Sequence, residues 1–135
     1  LAPRLEEGVI KLSGRGDRLP AQLLTFYRRQ AEDILKNKVA AAAGLYRIEF
    51  GAIKINSASS RWGSCSSDGN FNFSWKLILC AEPLVDYVVA HELAHRFEMN
   101  HSPAFWNAVA KLCPRYRVWE KLLRSEGERF RNWNL

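Results

Sequence analysis

The sequence predicts an α+β domain in which a small antiparallel sheet packs on several helices. Apolar residues recur at helical spacing after Pro20, and again in the segments that follow Pro83. Between these segments, apolar and polar residues alternate on both sides of Asp68-Gly69, a dipeptide typical of hairpin turns. Because 135 residues accommodate one compact domain, we assign residues 1–135 to a single unit.

The first elements are a short strand and a long helix. Residues 9–12 have strand composition and precede a charged, glycine-rich turn over residues 13–18. Pro20 suits the first turn of a helix, which we expect over residues 20–43. Gly44 is the natural C-terminal stop of that helix.

The middle of the chain has strand chemistry. Residues 45–56 alternate in polarity, and Gly51 marks an expected bulge. Residues 57–67 form a polar segment that we expect at the edge of the sheet. After the Asp-Gly turn, residues 71–75 alternate again, which predicts an antiparallel hairpin.

Three further helices complete the predicted domain. One opens at Pro83 and ends near residues 98–100. The next has Ser102 as its N-cap, followed at once by a proline, and runs to about residue 113. The last follows Pro114, and the tail after residue 127 is expected to be irregular.

The composition excludes some classes of protein. No stretch approaches the roughly 18 uncharged apolar residues of a membrane-spanning helix. The net charge of +6 permits weak attraction to phosphates, nucleic acid or acidic substrates, and selects none of them. The three cysteines are odd in number and widely spaced, which argues against a disulfide framework and predicts a cytoplasmic protein.

The strongest chemical signal is an H-E-x-x-H motif on the helix after Pro83. Its histidines, His91 and His95, lie one helical turn apart and can bind one zinc ion at about 2.0–2.1 Å. Glu92 then lies beside the metal, where a general base for a zinc-bound water belongs. The motif therefore predicts a Zn²⁺ site with Glu92 as the catalytic residue.

A catalytic zinc site needs a third protein ligand, and His101 is the first candidate. On one straight helix it would lie about 15 Å beyond His91, too far to bind the same ion. The helix must therefore end near residues 98–100, and the chain must turn back. Glu98 and Glu120 are the alternative third ligands. Three ligands leave the fourth position to a water, which predicts a zinc-dependent hydrolase.

Five short motifs of the chain occur together: HELAH at 91–95, NHS at 100–102, FW at 105–106, SRWGSC at 60–65 and DYVV at 86–89. Together they resemble the YgjP-like metallopeptidases, with the WLM and SprT-like metallopeptidases as more distant relatives. The resemblance implies a zincin-like fold, in which an edge strand lies along a cleft for a peptide or protein substrate. It assigns the metal to the three histidines and the role of base to Glu92. It also implies that part of the family's N-terminal sheet is missing from the given sequence.

Three further residues are candidates for substrate binding. Arg61 and Trp62 lie in the polar segment that can pair with an extended peptide, although Trp62 can equally pack in the core and Arg61 lie on the surface. Tyr116 is a candidate for stabilising an oxyanion, and ordinary packing is the alternative.

The sequence leaves other functions open. A basic, aromatic C-terminal stretch from Arg115 to Trp133 suits nucleic-acid binding, or forms an amphipathic helix with a solvated face. The leading prediction is a peptidase. The alternatives are a zinc-dependent phosphohydrolase acting on nucleotides, and a non-catalytic module that binds zinc or associates with nucleic acid.

Overall fold

The computed structural model describes most of the chain. Its backbone is described over residues 4–6, 9–11, 19–58 and 60–131, and its side chains over residues 21–58 and 60–129. The turn predicted over residues 13–18 and the last part of the C-terminal stretch, including Trp133, lie outside these ranges.

The described elements form an α+β fold, as predicted. In chain order they are β1 (Arg4–Glu6), β2 (Val9–Lys11), α1 (Leu19–Tyr46), β3 (Ile53–Asn56), β4 (Gly63–Cys65), β5 (Phe71–Ser74), a 3-10 helix (Trp75–Leu79), α2 (Glu82–Ala94), α3 (Pro103–Leu112), α4 (Tyr116–Glu126) and α5 (Glu128–Arg131). The strand predicted over residues 9–12 is confirmed over Val9–Lys11 as β2, which pairs antiparallel with β1. The tail expected to be irregular begins instead with α5.

Helix α1 continues past the predicted stop at Gly44. Arg47 has a φ of 55°, so an arginine occupies the left-handed position that ends the helix. The Ile48 N–H donates to the carbonyl of Ala43 at 2.8 Å, and the Arg47 N–H to the carbonyl of Gly44 at 3.4 Å. These are the two hydrogen bonds of a Schellman motif. The prediction of a strand over residues 45–56 is therefore wrong for residues 45–52, and only its last part forms a strand, β3.

The sheet contains three strands in the order β3-β5-β4. The predicted hairpin is confirmed, because β4 and β5 pair antiparallel around a turn in which Gly69 has a φ of 86°. Strand β3, however, pairs parallel with β5, so the sheet is mixed rather than wholly antiparallel. After β3 the chain crosses the end of β5, and β4 then pairs with the opposite edge of β5. At the crossing, the Ser74 hydroxyl donates to the carbonyl of Ala58 and the Ser74 N–H to the carbonyl of Trp62. Strand β4 is thus an edge strand, as predicted for its segment.

The core lies between α1, the sheet and α2. Every fourth residue of α1 from Tyr27 to Ala43 is buried, and the Tyr27 ring stacks on Trp75 of the 3-10 helix at 5.2 Å. Phe71 and Phe73 of β5 are fully buried under these helices. Among the described residues, no helix has the length and apolarity needed to cross a membrane. This core holds β4 against α2, where the predicted site lies.

Candidate metal centre and cleft

Three histidines converge where α2 ends and α3 begins. His91 lies in the last turn of α2, His95 directly follows the helix, and His101 precedes the N-cap of α3. One possible ligand atom of each ring lies within 4.8 Å of the others. Among the side chains that the structure describes, no other group of three or more His, Cys, Asp or Glu residues could share a metal ion. The structure therefore brings together the three predicted ligands.

A tight turn returns the chain from His95 to His101. The N–H groups of His95, Arg96 and Phe97 each donate to the carbonyl three residues earlier, at 2.9–3.2 Å. Such bonds tighten the last turn into 3-10 geometry, so α2 ends at Ala94 rather than near residues 98–100. The predicted reversal of the chain is confirmed, and it begins earlier than expected. Ser102 then caps α3 as predicted, its hydroxyl accepting from the N–H of Phe105.

The histidines present the right chemistry for a divalent transition metal. The Nδ1 atom of His95 lies 3.1 Å from the backbone carbonyl of Glu98, which can only accept a hydrogen bond. Nδ1 therefore carries the proton in this contact, and Nε2 is left free for a metal. Burial and the neighbouring His91 and His95 lower the pKa of His101, which favours the neutral imidazole that metals require. Three imidazoles fit zinc, and they suit several other transition metals too.

An aromatic frame from α3 supports the three rings. Phe105 is fully buried, and its ring centroid lies 4.4–5.0 Å from those of the three histidines. Trp106 lies beside them, 5.8 Å from the ring of His91 and 6.3 Å from that of His101. Because these rings restrict the histidine rotamers, α3 contributes to the site although it contains no ligand.

Glu92 lies between α2 and the edge strand β4. It is 5% exposed, and its Oε2 lies 3.1 Å from Nδ1 of His91. A Cβ on Gly63 of β4 would lie only 3.2 Å from Cγ of Glu92. The absence of a side chain at Gly63 thus allows β4 to pack against Glu92. The carboxylate is held beside the histidines, where a general base would have to lie.

A cleft of about 340 Å³ opens over this cluster. Arg61 is exposed at its rim, and β4 and Met99 line it together with the histidines and Glu92. Trp62 is only 9% exposed and belongs to the core, and it also borders an adjoining cleft beside Arg61 and His91. Trp62 therefore packs in the core, which was the alternative to substrate binding for this residue. Arg61 is exposed at the cleft, where a substrate-binding residue would have to lie.

Tyr116 and the two alternative ligands lie apart from the cluster. Tyr116 stacks on Trp106 at 5.5 Å and lines a neighbouring groove rather than the cleft. Glu120 accepts hydrogen bonds from Arg124 and from the Tyr87 hydroxyl. Glu98 lies close to the histidines, but the group that bonds to His95 is its backbone carbonyl. Neither glutamate joins the metal-binding group, and a role for Tyr116 in catalysis stays a prediction.

The sequence did not identify two residues of this region. Cys65 lines the cleft, and its pKa is raised to about 11 by burial and by the Glu92 carboxylate, so it is a neutral thiol. Arg96 donates to the carbonyls of Glu49 and Ser67 and lies against Gly69. It thereby ties the hairpin turn to the end of α2. Cys65 ends the SRWGSC motif, which assigned it no role, and Arg96 belongs to no motif. The contacts of both residues depend on how the sheet packs on the helix.

The chain matches the protein-family model described as YgjP-like, metallopeptidase domain, over residues 3–126. A solved structure with a similar fold is the metallopeptidase zymogen of Pyrococcus abyssi abylysin, with a TM-score of 0.60. That protein is 19% identical, and the match covers 69% of this chain and 95% of that chain. At this identity the likeness shows the fold alone. Among curated proteins the chain has no match. The family match includes the three histidines and Glu92.

Proposed function

Because the chain belongs to the YgjP-like metallopeptidase domain family, we propose that it is a zinc-dependent peptidase in which His91, His95 and His101 hold the metal and Glu92 is the general base. The observation that carries this proposal is the convergence of three imidazoles beside a buried carboxylate. A site that only binds metal has no need of such a carboxylate, so its presence argues against a non-catalytic zinc module.

The residues of the chain have separate tasks in this mechanism. A bound zinc ion would supply a Lewis acid and an acidified water at neutral pH. Glu92 accepts the proton of the attacking water and delivers it to the leaving amine. Its burial between α2 and β4 restricts the carboxylate to one side of the histidine cluster. Phe105 and the Glu98 carbonyl restrict the orientation of the rings, which keeps the ligand nitrogens converged.

The substrate would lie along the cleft between β4 and the turn that carries Met99. As an edge strand, β4 has backbone groups available for an extended peptide. The guanidinium of Arg61, at the rim, would bind a carboxylate or carbonyl of that peptide. Trp62 supports this wall from the core side. Peptide is the favoured substrate class because of the family, since the metal chemistry itself permits other bonds.

Incubation of the zinc-loaded protein with a mixed peptide pool and a mixed nucleotide pool, read by mass spectrometry, tests the proposal. We expect cleavage of peptides by the wild type and none by Glu92→Gln, which should keep its zinc. His101→Ala should lower zinc retention by orders of magnitude, because two imidazoles hold zinc far more weakly than three.

The same experiment separates the alternatives. Turnover of nucleotides without turnover of peptides would replace the peptidase by a phosphohydrolase at the same site. Full peptide cleavage by Glu92→Gln would remove Glu92 from the role of base. Unchanged zinc content in His101→Ala would remove that residue from the metal site.

A further inference from the structure

A second groove, which we call the basic groove, lies next to the metal cleft between α3 and α4. It is lined by Trp106, Tyr116, Arg117, Glu120, Lys121 and Arg124. The three cations follow one another at positions i, i+4 and i+7 of α4, so they lie on one face of the helix. The groove therefore places three positively charged side chains in a row beside the rings of Trp106 and Tyr116.

The negative charge within the groove is already paired. Glu120 accepts from Arg124 at 3.0 Å and from the Tyr87 hydroxyl at 3.4 Å. Among the side chains described, Lys121 takes part in no ion pair, and Arg117 bonds only to the hydroxyl of Tyr116. Lys121 thus has no ion-pair partner among the described side chains, and Arg117 feels only the charge of Glu120, which Arg124 already pairs. A carboxylate there would gain favourable charge contacts.

The groove adjoins the histidine cluster across one side chain, Trp106. Trp106 forms the wall between them, because its ring contacts His91 and His101 on one side and stacks on Tyr116 on the other. A peptide that extends from the histidines past Trp106 would therefore enter the groove that Lys121 and Arg117 line.

The aromatic rings of the groove do not provide a stacking platform for nucleobases. Tyr116 stacks on Trp106 at an interplanar angle of 23°, and the guanidinium of Arg117 lies 5.8 Å from the centre of the Tyr116 ring. Binding of single-stranded nucleic acid relies on aromatic faces that bases can cover. Here the rings contact each other and a cation, so the cations are the groups left to bind a ligand.

We propose that the basic groove is a substrate subsite that binds a carboxylate of the peptide flanking the scissile bond, and that the enzyme prefers acidic peptides. The proposal rests on the peptidase function proposed above. The carboxylate can belong to an Asp or Glu side chain or to the C-terminus of the peptide. Both sources place one negative charge between Lys121 and Arg117.

Binding to zinc-loaded Glu92→Gln protein tests this subsite without requiring turnover. The probes are fluorescent peptides of one sequence with Glu, Gln or Lys at successive positions, each with a free or an amidated C-terminus. We expect Kd to be about two- to fivefold lower for a Glu peptide than for its Gln counterpart, as is typical of partly exposed charge pairs. Tighter binding of the Glu peptide than of its Gln counterpart, with or without amidation, assigns the carboxylate to a side chain. A loss of affinity on amidation that is the same for the Glu and Gln peptides assigns it to the C-terminus.

Charge reversal then locates the preference in the groove. Lys121→Glu, made in the Glu92→Gln background, should abolish the preference for Glu and favour the Lys peptide. Arg29→Glu on α1 is the matched control, because it changes the net charge equally at an exposed position that does not line the groove. It should bind all peptides as its parent does, and both variants should show the circular dichroism spectrum of the parent.

Kd values that are equal for the Glu, Gln and Lys peptides and that also do not change on amidation would overturn the proposal. Tighter binding of a single-stranded oligonucleotide that depends on Lys121 would overturn it in favour of nucleic acid. Failure of the peptidase function is a separate result. If the wild type cuts no peptide but Lys121 still selects Glu peptides, the subsite stands and the catalytic proposal falls. If the wild type cuts peptides without any preference for acidic residues, the catalytic proposal stands and the subsite falls.

Discussion

Substitution of Gly63 by alanine perturbs the contact between the edge strand and Glu92. The new Cβ would lie 2.9 Å from Cδ1 of Phe73 and 3.2 Å from Cγ of Glu92, closer than side chains normally pack. Phe73 is fully buried, so its ring has no free space into which it can move. Strand β4 and helix α2 must therefore separate by a few tenths of an ångström. Overpacking of this kind typically costs about 1–3 kcal/mol of stability.

The expected functional effect of Gly63→Ala follows from where the strain falls. Glu92 would shift with the strand contact, whereas the histidines are held by α3 and by the turn after α2. We expect peptide turnover to fall by about tenfold or more, because a small misplacement of a catalytic group has a large effect on rate. Zinc affinity should change little. Urea unfolding followed by tryptophan fluorescence, chelator competition and the rate at saturating peptide measure the three quantities.

Gly44→Ala is the matched control for this substitution. A Cβ at Gly44 meets no atom within 4 Å, and the residue lies in the last turn of α1 without the left-handed φ that Arg47 adopts at the end of that helix. It should therefore raise stability by about 0.5–1 kcal/mol and leave turnover unchanged. The reasoning is refuted if Gly63→Ala unfolds at the wild-type urea concentration and retains the wild-type rate.

Two further predictions concern the loops that hold the site. Arg47→Gly should raise the free energy of unfolding by about 0.5–1 kcal/mol. The reason is that glycine adopts the left-handed conformation at φ 55° without the steric cost that arginine bears. An unchanged or lower free energy from urea unfolding would contradict this. Arg96→Ala should lower it by about 2 kcal/mol, since two carbonyls lose a charged donor. Arg96→Lys, with one compact ammonium, should recover only part of this loss, and full recovery would show that the two separate contacts are unnecessary.

The helices and the hairpin were predictable because their signals are local. Pro83 and Ser102 mark the starts of α2 and α3, and the Asp-Gly turn joins β4 to β5. The parallel pairing of β3 with β5 could not be predicted, because it depends on the route of the chain between two strands and no residue pattern records that route. A strand with mixed neighbours has the same alternation as one in an antiparallel sheet.

The wrong strand prediction after Gly44 has a specific physical cause. Ile48 and Phe50 alternate with polar residues as they would in a half-buried strand, yet both lie in an irregular segment. Ile48 packs on the core just after the Schellman turn, as an apolar residue at that position of the motif often does. Phe50 lies 6.2 Å from the ring of Phe71. The strand-like pattern therefore arises from one residue that packs on the core and one, 37% exposed, that lies against Phe71 near the surface, and no strand hydrogen bonding is needed to produce it.

For the site as well, some residues could be predicted from local sequence and others depend on tertiary packing. The spacing of His91 and His95 is a property of one helix, and the return of His101 depends on a turn only a few residues long, so both were predictable. The supports of those ligands come from elsewhere: Phe105 lies on the next helix, and Gly63 lies on a strand about thirty residues before the motif. Their importance depends on contact with Glu92 and the histidines, which only the packed structure shows. If the proposed function is right, substitutions at Gly63 and Phe105 will therefore affect turnover although neither residue carries catalytic chemistry.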